Sequence, residues 1–447
     1  GTWHTIRHDS TSCPQSGRLH QRNRFQGGTQ KAVERFYSHE WLATLKKLVV
    51  AEMREWVDAN WDPHSDLSSW RTLLAKSGWG NPSWPEAWFG KGLPSMADAQ
   101  AKQILLDAGA VGLASGVSMY LVAPTLLEWA DDHQKETYLL PILTGEHKWC
   151  QLFSEPGAGS DLAGLTTRAV RDGDEWVISG QKVWNSGAAK ADYGILLART
   201  DSAVPKHNGI SFFLIPMQQK GIEVRPLHQM NGHSSFNEVF FDDARVSDSA
   251  LIAGVGNGWR VALTTLAHER SAVATPRPKF PPNTSPLIEA AIKEAEAYFS
   301  TYSWYPQRAG RPRLVFPQAK RMNQAKDPRI RQIAATVESL QQTALWNTQR
   351  AKAARASGRA PGPEGSIAKL KMSITAEKSS EAHSAILGAH GMLSGSSAGE
   401  NELISEVLVS TPAQSIAGGT DEIQKNILGE RVLGLPKEPN PDSKGSI

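Results

Sequence analysis

The sequence predicts an α+β fold in three consecutive blocks: an N-terminal helical domain, a central antiparallel β domain and a C-terminal four-helix bundle. Three observations predict it. Apolar residues recur at helical spacing from Trp41 to Trp149, a period of two takes over between 150 and 255, and helical spacing returns after Gly258. No internal repeat is visible. The expected divisions are an extension over 1–40, a helical domain over 41–149, a β domain over 150–255, a helical bundle over 256–436 with a divergent stretch at 276–328, and a tail over 437–447.

Residues 1–40 are polar and rich in Gly, Ser, Gln and Arg, the composition of a weakly ordered extension. Leu42, Leu45, Leu48, Val49 and Met53 then form one apolar stripe, and Ile104, Leu105, Ala108, Val111 and Leu113 another. Turn signals at Gly78-Trp79-Gly80-Asn81-Pro82 and Gly90-Lys91-Gly92-Leu93-Pro94 divide this half. Strands are expected at EWVISGQKVW, YGILLART, Ile210–Ile215 and Glu238–Phe241, with Pro, Gly, Asn and Asp between them. Helices are expected over 259–274, 329–357, 366–387 and 414–433.

A chain of 447 residues with 40% hydrophobic and 21% charged residues suits a multi-layered globular enzyme. A net charge of +3 gives no argument for a nucleic-acid partner. Two cysteines, Cys13 and Cys150, have neither zinc-ligand nor disulfide spacing. That usage fits a reducing compartment, and the N-terminus lacks the charged and apolar regions of a secretory signal, so a cytoplasmic setting is expected. No apolar run reaches the roughly 18 residues that span a bilayer. His228, His233, His383 and His390 lack metal-ligand spacing and read as surface or supporting residues. Gly254-Val255-Gly256-Asn257-Gly258 lacks the strand–turn–helix context of a dinucleotide loop.

Two motifs carry chemistry. Glu155-Pro156-Gly157-Ala158-Gly159-Ser160-Asp161 is a turn that bares its backbone, because Gly157 and Gly159 lack Cβ atoms and Pro156 fixes the entry angle. Ser154 and Ser160 flank it, offering donors to a planar ligand with polar edges, although turn chemistry alone also explains them. Far downstream stands Ile416-Ala417-Gly418-Gly419-Thr420-Asp421-Glu422-Ile423-Gln424, where Thr420 reads as a helix N-cap followed by acids in the first turn.

Together with HQKETYLLPILTGEHKW and WRVALTTLAHER, these motifs resemble the acyl-CoA dehydrogenase family over roughly residues 45–275 and 330–436. The resemblance implies FAD and a Cα–Cβ dehydrogenation of an acyl-CoA, in which a base takes the α-proton and flavin N5 takes the β-hydride. It places Ser154, Ser160, Trp184 and Ser186 at the flavin, with Trp184 walling the ring and Ser160 also near substrate. Thr420, Gly388 and Gly391 follow as further cofactor contacts, the glycines touching the FAD of a neighbouring subunit.

Many relatives place the base directly before the Gly-Thr of the last motif, where this chain has Gly418. A subset carries it before an arginine on an earlier helix, which implies Glu269 as base and Arg270 beside it at flavin or substrate. Gly418 keeps a backbone N–H for the thioester oxygen. The Arg-x-x-Phe-Gly element that holds FAD pyrophosphate in many relatives has no copy, and the proline-rich, basic stretch Pro276–Asp327 stands in its place as an insertion, substrate-mouth loop or partner surface. Thr411-Pro412 also departs from the pattern. These departures fit a bacterial branch handling bulky or branched acyl groups. The implied partners are an electron-transfer flavoprotein or similar acceptor and further subunits in a homo- or hetero-oligomer, dimer or tetramer. A catalytically silent partner subunit and a flavin monooxygenase on the same scaffold are the alternatives; a carboxylate at Glu269 favours the dehydrogenase.

Overall fold

The computed structural model describes residues 39–272, 277–282, 285–356, 362–393, 395–397 and 399–436. Residues 46–447 form one compact unit; residues 1–45 form another, of which only the start of the first helix is described, so the expected extension over 1–40 lies almost wholly outside the described residues.

The N-terminal helices form for local reasons. Along α1 (His39–Asn60), Val49, Met53 and Val57 recur every four residues and are buried. Asp66 caps α2 (Leu67–Lys76) by accepting from the Ser69 N–H, and Trp70 and Leu74 face inward. Helix α3 (Met96–Asp107) stops short of the expected stripe through Leu113, because Gly109 turns the chain at φ +69°. Helices α4 (Ala123–Trp129) and α5 (Asp132–Thr144) follow, α5 opening on a reciprocal cap between Asp131 and Gln134. Gln134 Nε2 also donates to the carbonyls of Ser249 and Leu251, fastening α5 to the sheet.

The sheet has eight strands: β1 (Trp149–Leu152), β2 (Arg168–Asp172), β3 (Glu175–Lys182), β4 (Tyr193–Arg199), β5 (Ile210–Pro216), β6 (Ile222–Leu227), β7 (Phe236–Ser247) and β8 (Leu251–Ile252). Their order is β6-β7-β3-β2-β4-β5-β8, with β1 also beside β4. Most neighbours are antiparallel as expected, but β1 and β2 run parallel to β4. The connections through 153–167 and 183–192 give the chain the excursions that parallel pairing requires. Ile210–Ile215 is buried throughout rather than alternately. One reason is α6 (Gly258–Ala272), which packs on β5 and α4. Gly258 makes that contact possible, since a Cβ there would stand 2.5 Å from the Ser211 carbonyl carbon. Val261, Ala262 and Thr265 are buried, and the hydroxyls of Thr125 and Thr265 meet at 3.1 Å.

Within the stretch 276–328, unmatched in the sequence reading, the described residues include three helices: α7 (Pro286–Ser300), α8 (Tyr305–Arg308) and α9 (Val315–Arg321). Ser285 caps α7, with Pro286 at its first position. Helices α10 (Pro328–Ala356) and α11 (Glu364–Leu387) pack side by side, and after the short α12 (Glu402–Ser410) and α13 (Pro412–Ile416) the final α14 (Asp421–Arg431) returns onto α11. The single helix expected over 414–433 is therefore broken at Ala417–Thr420, where Gly418 and Gly419 take φ +69° and +85°. His383, expected at the surface or in a supporting position, is fully buried: its Nδ1 bonds Gln318 Oε1 and its Nε2 faces the Arg311 carbonyl at 3.3 Å. Among the described residues no helix is long and apolar enough to cross a membrane.

Candidate active site

The bare turn is held by a buried ion pair that sequence patterning did not single out. Glu155 accepts from the Thr166 N–H (2.7 Å) and hydroxyl (2.8 Å), from the Thr167 N–H (2.9 Å) and from Lys182 Nζ (2.8 Å). Lys182, fully buried at the end of β3, also donates to the Phe153 carbonyl. Burial alone would raise the Glu155 carboxyl, but the Lys182 charge and these donors outweigh it and hold the group well below its ordinary value. Burial likewise lowers Lys182, against the pull of Glu155. The pair fixes the turn 155–161 to the segment that follows Lys182.

That segment is Val183-Trp184-Asn185-Ser186. Trp184 sits at φ +65°, a conformation costly for a bulky residue, and its ring is 57% exposed. Ser154 accepts the Val183 N–H through its carbonyl at 2.9 Å, so the two motif segments lie side by side. Buried Asn185 donates through Nδ2 to the Gln151 carbonyl at 2.7 Å, while its Oδ1 has no partner. Gln151 in turn reaches α6, its Nε2 donating to Glu269 Oε2 at 3.4 Å. The expected base and the residue following Trp184 are thus linked through Gln151 on β1, by its side chain on one side and its backbone carbonyl on the other.

The helices of 286–308 complete the surroundings. Edge-to-face ring contacts run from Trp184 to Phe236 (5.6 Å), Trp304 (6.1 Å), Tyr305 (5.1 Å), Tyr302 (4.8 Å) and Tyr298 (5.2 Å). The Tyr298 hydroxyl meets that of Tyr120 at 3.4 Å, and Tyr302 interacts through its hydroxyl with Ser186. Burial pushes Tyr120, Tyr302 and Tyr305 up to about 12, with the Glu269 charge adding to the rise at each. Tyr298 moves the same way, chiefly by burial. All four stay protonated donors at neutral pH. Sequence reasoning missed this group; the spacing of Tyr298, Tyr302 and Tyr305, four and then three residues apart, was the available signal.

The other expected site residues fall elsewhere or show ordinary roles. Ser160 is exposed on the turn. Thr420 caps α14, accepting from the Ile423 N–H at 3.3 Å. The Gly418 carbonyl accepts from Gln424 Nε2 at 3.1 Å, and a Cβ on Gly418 would meet open space. Gly388 and Gly391 lie in the turn that ends α11. The side chain of Arg270 lies outside the described residues. Among the described residues no cluster of His, Cys, Asp and Glu suits a metal.

The residues present fit a flat, polar-edged ring. Trp184 is exposed at a constrained position, Asn185 beside it keeps a buried unpaired oxygen, and Gly157 and Gly159 have no atom within 4 Å of where a Cβ would stand. A helical block, a mostly antiparallel sheet and a helical C-terminal block, with a carboxylate-bearing helix laid against the sheet, define the acyl-CoA dehydrogenase-like fold class.

Comparison with known proteins specifies the family. The acyl-CoA dehydrogenase N-terminal, middle and C-terminal domain models match residues 37–146, 150–244 and 313–433. The chain is 34% identical to acyl-CoA dehydrogenase IpdE1 of Mycobacterium tuberculosis over 83% of its own length and 88% of that protein's. It is 37% identical to acyl-CoA dehydrogenase FadE34 of the same organism over 82% of its length, spanning 46% of that relative. Among solved structures, the ChsE4–ChsE5 complex from Mycobacterium tuberculosis aligns with TM-score 0.60 at 25% identity, covering 90% of this chain and 99% of that one. The Tcur3481–Tcur3483 steroid ACAD aligns with TM-score 0.60 at 26% identity, covering 88% and 98%. This chain belongs to the acyl-CoA dehydrogenase family.

Proposed function

We propose that the chain dehydrogenates an acyl-CoA thioester at Cα–Cβ to a 2,3-enoyl-CoA, with Glu269 as the base that takes the α-proton. The observation that carries this reading is the 3.4 Å contact from Gln151 to Glu269, because the same glutamine is held by Asn185 between Trp184 and Ser186. FAD, held by Ser154, Ser160, Trp184 and Ser186, supplies the hydride acceptor when bound. Gly388, Gly391 and Thr420 would complete its binding, the glycines from a neighbouring subunit. Gly418 would present its N–H to the thioester oxygen, making the α-proton more acidic, and Arg270 would lie beside substrate or flavin. Gln151 orients the carboxylate. Electrons would pass on to an electron-transfer flavoprotein or a similar acceptor.

Glu269→Gln should lower turnover of acyl-CoA with an artificial electron acceptor by about a thousand-fold, the middle of the range for a positioned base. Flavin absorbance near about 450 nm, a property of the cofactor, should persist. Unchanged turnover would reject Glu269 as base. A second reading, a chain that works only beside another acyl-CoA dehydrogenase chain, is favoured by the length of FadE34 and by the two-component ChsE4–ChsE5 complex. Purified chain that neither retains flavin nor turns over substrate until a second chain is added would support that reading.

A further inference from the structure

The aromatic chain that leaves Trp184 ends on a cation. Arg308 lies 4.0 Å over the Tyr305 ring and 5.8 Å from that of Trp304. Its Nε is buried and has no hydrogen-bond partner. Ring contacts continue from Tyr305 to Tyr302 and Tyr298, whose hydroxyl meets that of Tyr120 at 3.4 Å, long for a hydroxyl pair. The ring contacts lead back from Tyr305 through Trp304 and Phe236 to Trp184, and the Glu269 charge adds to the raised values of Tyr120, Tyr302 and Tyr305. A plain alkyl chain laid here would bury these donors unanswered, whereas an acceptor oxygen would answer them.

We propose that Tyr305 and Arg308 form a recognition site for an acyl group bearing an acceptor oxygen, a ketone or a carboxylate, beyond its Cβ. The inference rests on the dehydrogenase reading above and names the substrate class of that site. Several features support it. Both donors belong to α8, within the stretch 276–328 that the sequence motifs do not cover. Trp304 is 1% exposed and donates through Nε1 to Ser235 Oγ at 3.0 Å, so the platform beneath Arg308 is anchored. Gln307 bonds Glu406 at 3.0 Å on its other side, which fixes α8 from two directions. Donors held this way discriminate by leaving themselves unpaired against the wrong ligand, a stronger filter than an apolar wall provides.

The test uses the flavin-loaded protein and three probes of equal carbon count: hexanoyl-CoA, 5-oxohexanoyl-CoA and adipoyl-CoA. Binding is read by calorimetry and turnover by reduction of an artificial acceptor. Wild type should bind at least one oxygenated probe about ten-fold more tightly than hexanoyl-CoA, the size of one well-placed hydrogen bond. Tyr305→Phe and Arg308→Met should each erase most of that preference while leaving hexanoyl-CoA binding within about two-fold. A preference for adipoyl-CoA lost in Arg308→Met assigns a carboxylate; equal preference for both oxygenated probes assigns a ketone-type acceptor. Equal affinity for all three probes in wild type, or a preference that survives both substitutions, overturns the proposal. Preserved binding preference without turnover of any probe leaves the recognition site standing and removes the dehydrogenase reading instead.

Discussion

On the sheet side of Glu269, the buried charges Glu155 and Lys182 have their hydrogen-bond partners within about 3 Å inside the protein itself. On the helical side, the Arg308 Nε is buried with no hydrogen-bond partner, and the Tyr298 and Tyr120 hydroxyls meet only at 3.4 Å. Both regions bury polar atoms, so burial alone does not separate framework from recognition. The difference lies in whether the fold satisfies them. A saturated cluster such as Glu155–Lys182 has nothing left to offer a ligand and serves to hold the turn; an unsaturated one keeps donors in reserve.

Lys182→Met should break the contrast most severely. It strands Glu155 beneath the sheet and should cost about 3–5 kcal/mol of stability, the usual result of removing one partner from a buried pair. Chemical denaturation followed by circular dichroism measures this; a cost under about 1 kcal/mol would mean the pair is not framework. Arg308→Met, by contrast, should change stability by less than about 1 kcal/mol, since no acceptor in the fold depends on its Nε.

Acid titration sharpens the same difference. Glu155 is held at about 2 in the folded chain against an ordinary 4.5. Its folded value is depressed, so its contribution is fully present above pH 4.5 and is lost as pH falls toward 2. Denaturation midpoints should drop through that window in wild type and drop less in the Glu155→Gln/Lys182→Met double variant. An identical acid profile would remove Glu155 from the account. The tyrosines should leave no mark on stability between pH 6 and 9, because their raised values keep them neutral throughout.

Smaller effects are expected at the last motif. Thr420→Ala removes an N-cap and should cost about 1 kcal/mol. Gly418→Ala, at φ +69°, should cost a similar amount, about 1 kcal/mol from backbone strain alone, because its Cβ meets nothing. A much larger loss of stability in either variant would show a packing role that the geometry does not contain.

How much of this could be read from the sequence differs by region. The order of helix, sheet and helix was legible, because periodicity is a local property. The turn at 155–161 and the segment at Trp184 were legible as motifs, and the place before Arg270 singled out Glu269, whose role as base is a proposal. The link from Gln151 to Glu269 was not, since it depends on β1 and α6 meeting across 118 residues of chain. The parallel placement of β1 and β2 was hidden for a similar reason: strand patterning gives faces, not directions. Lys182 read as one polar residue in an alternating strand, and only packing shows it buried. Tyr298, Tyr302 and Tyr305 were overlooked because the segments that flank their helices are rich in proline and basic residues.

Gly258 carries a mechanical consequence. Helix α6 touches β5 through its bare α-carbon, and Glu269 lies eleven residues further on, a lever arm of about 16 Å at the usual helical rise. A tilt of only about 4° at that pivot would swing the far end by about 1 Å, enough to stretch a weak amide contact beyond use. The aim of the carboxylate is thus set at the opposite end of its own helix, by one absent methyl group.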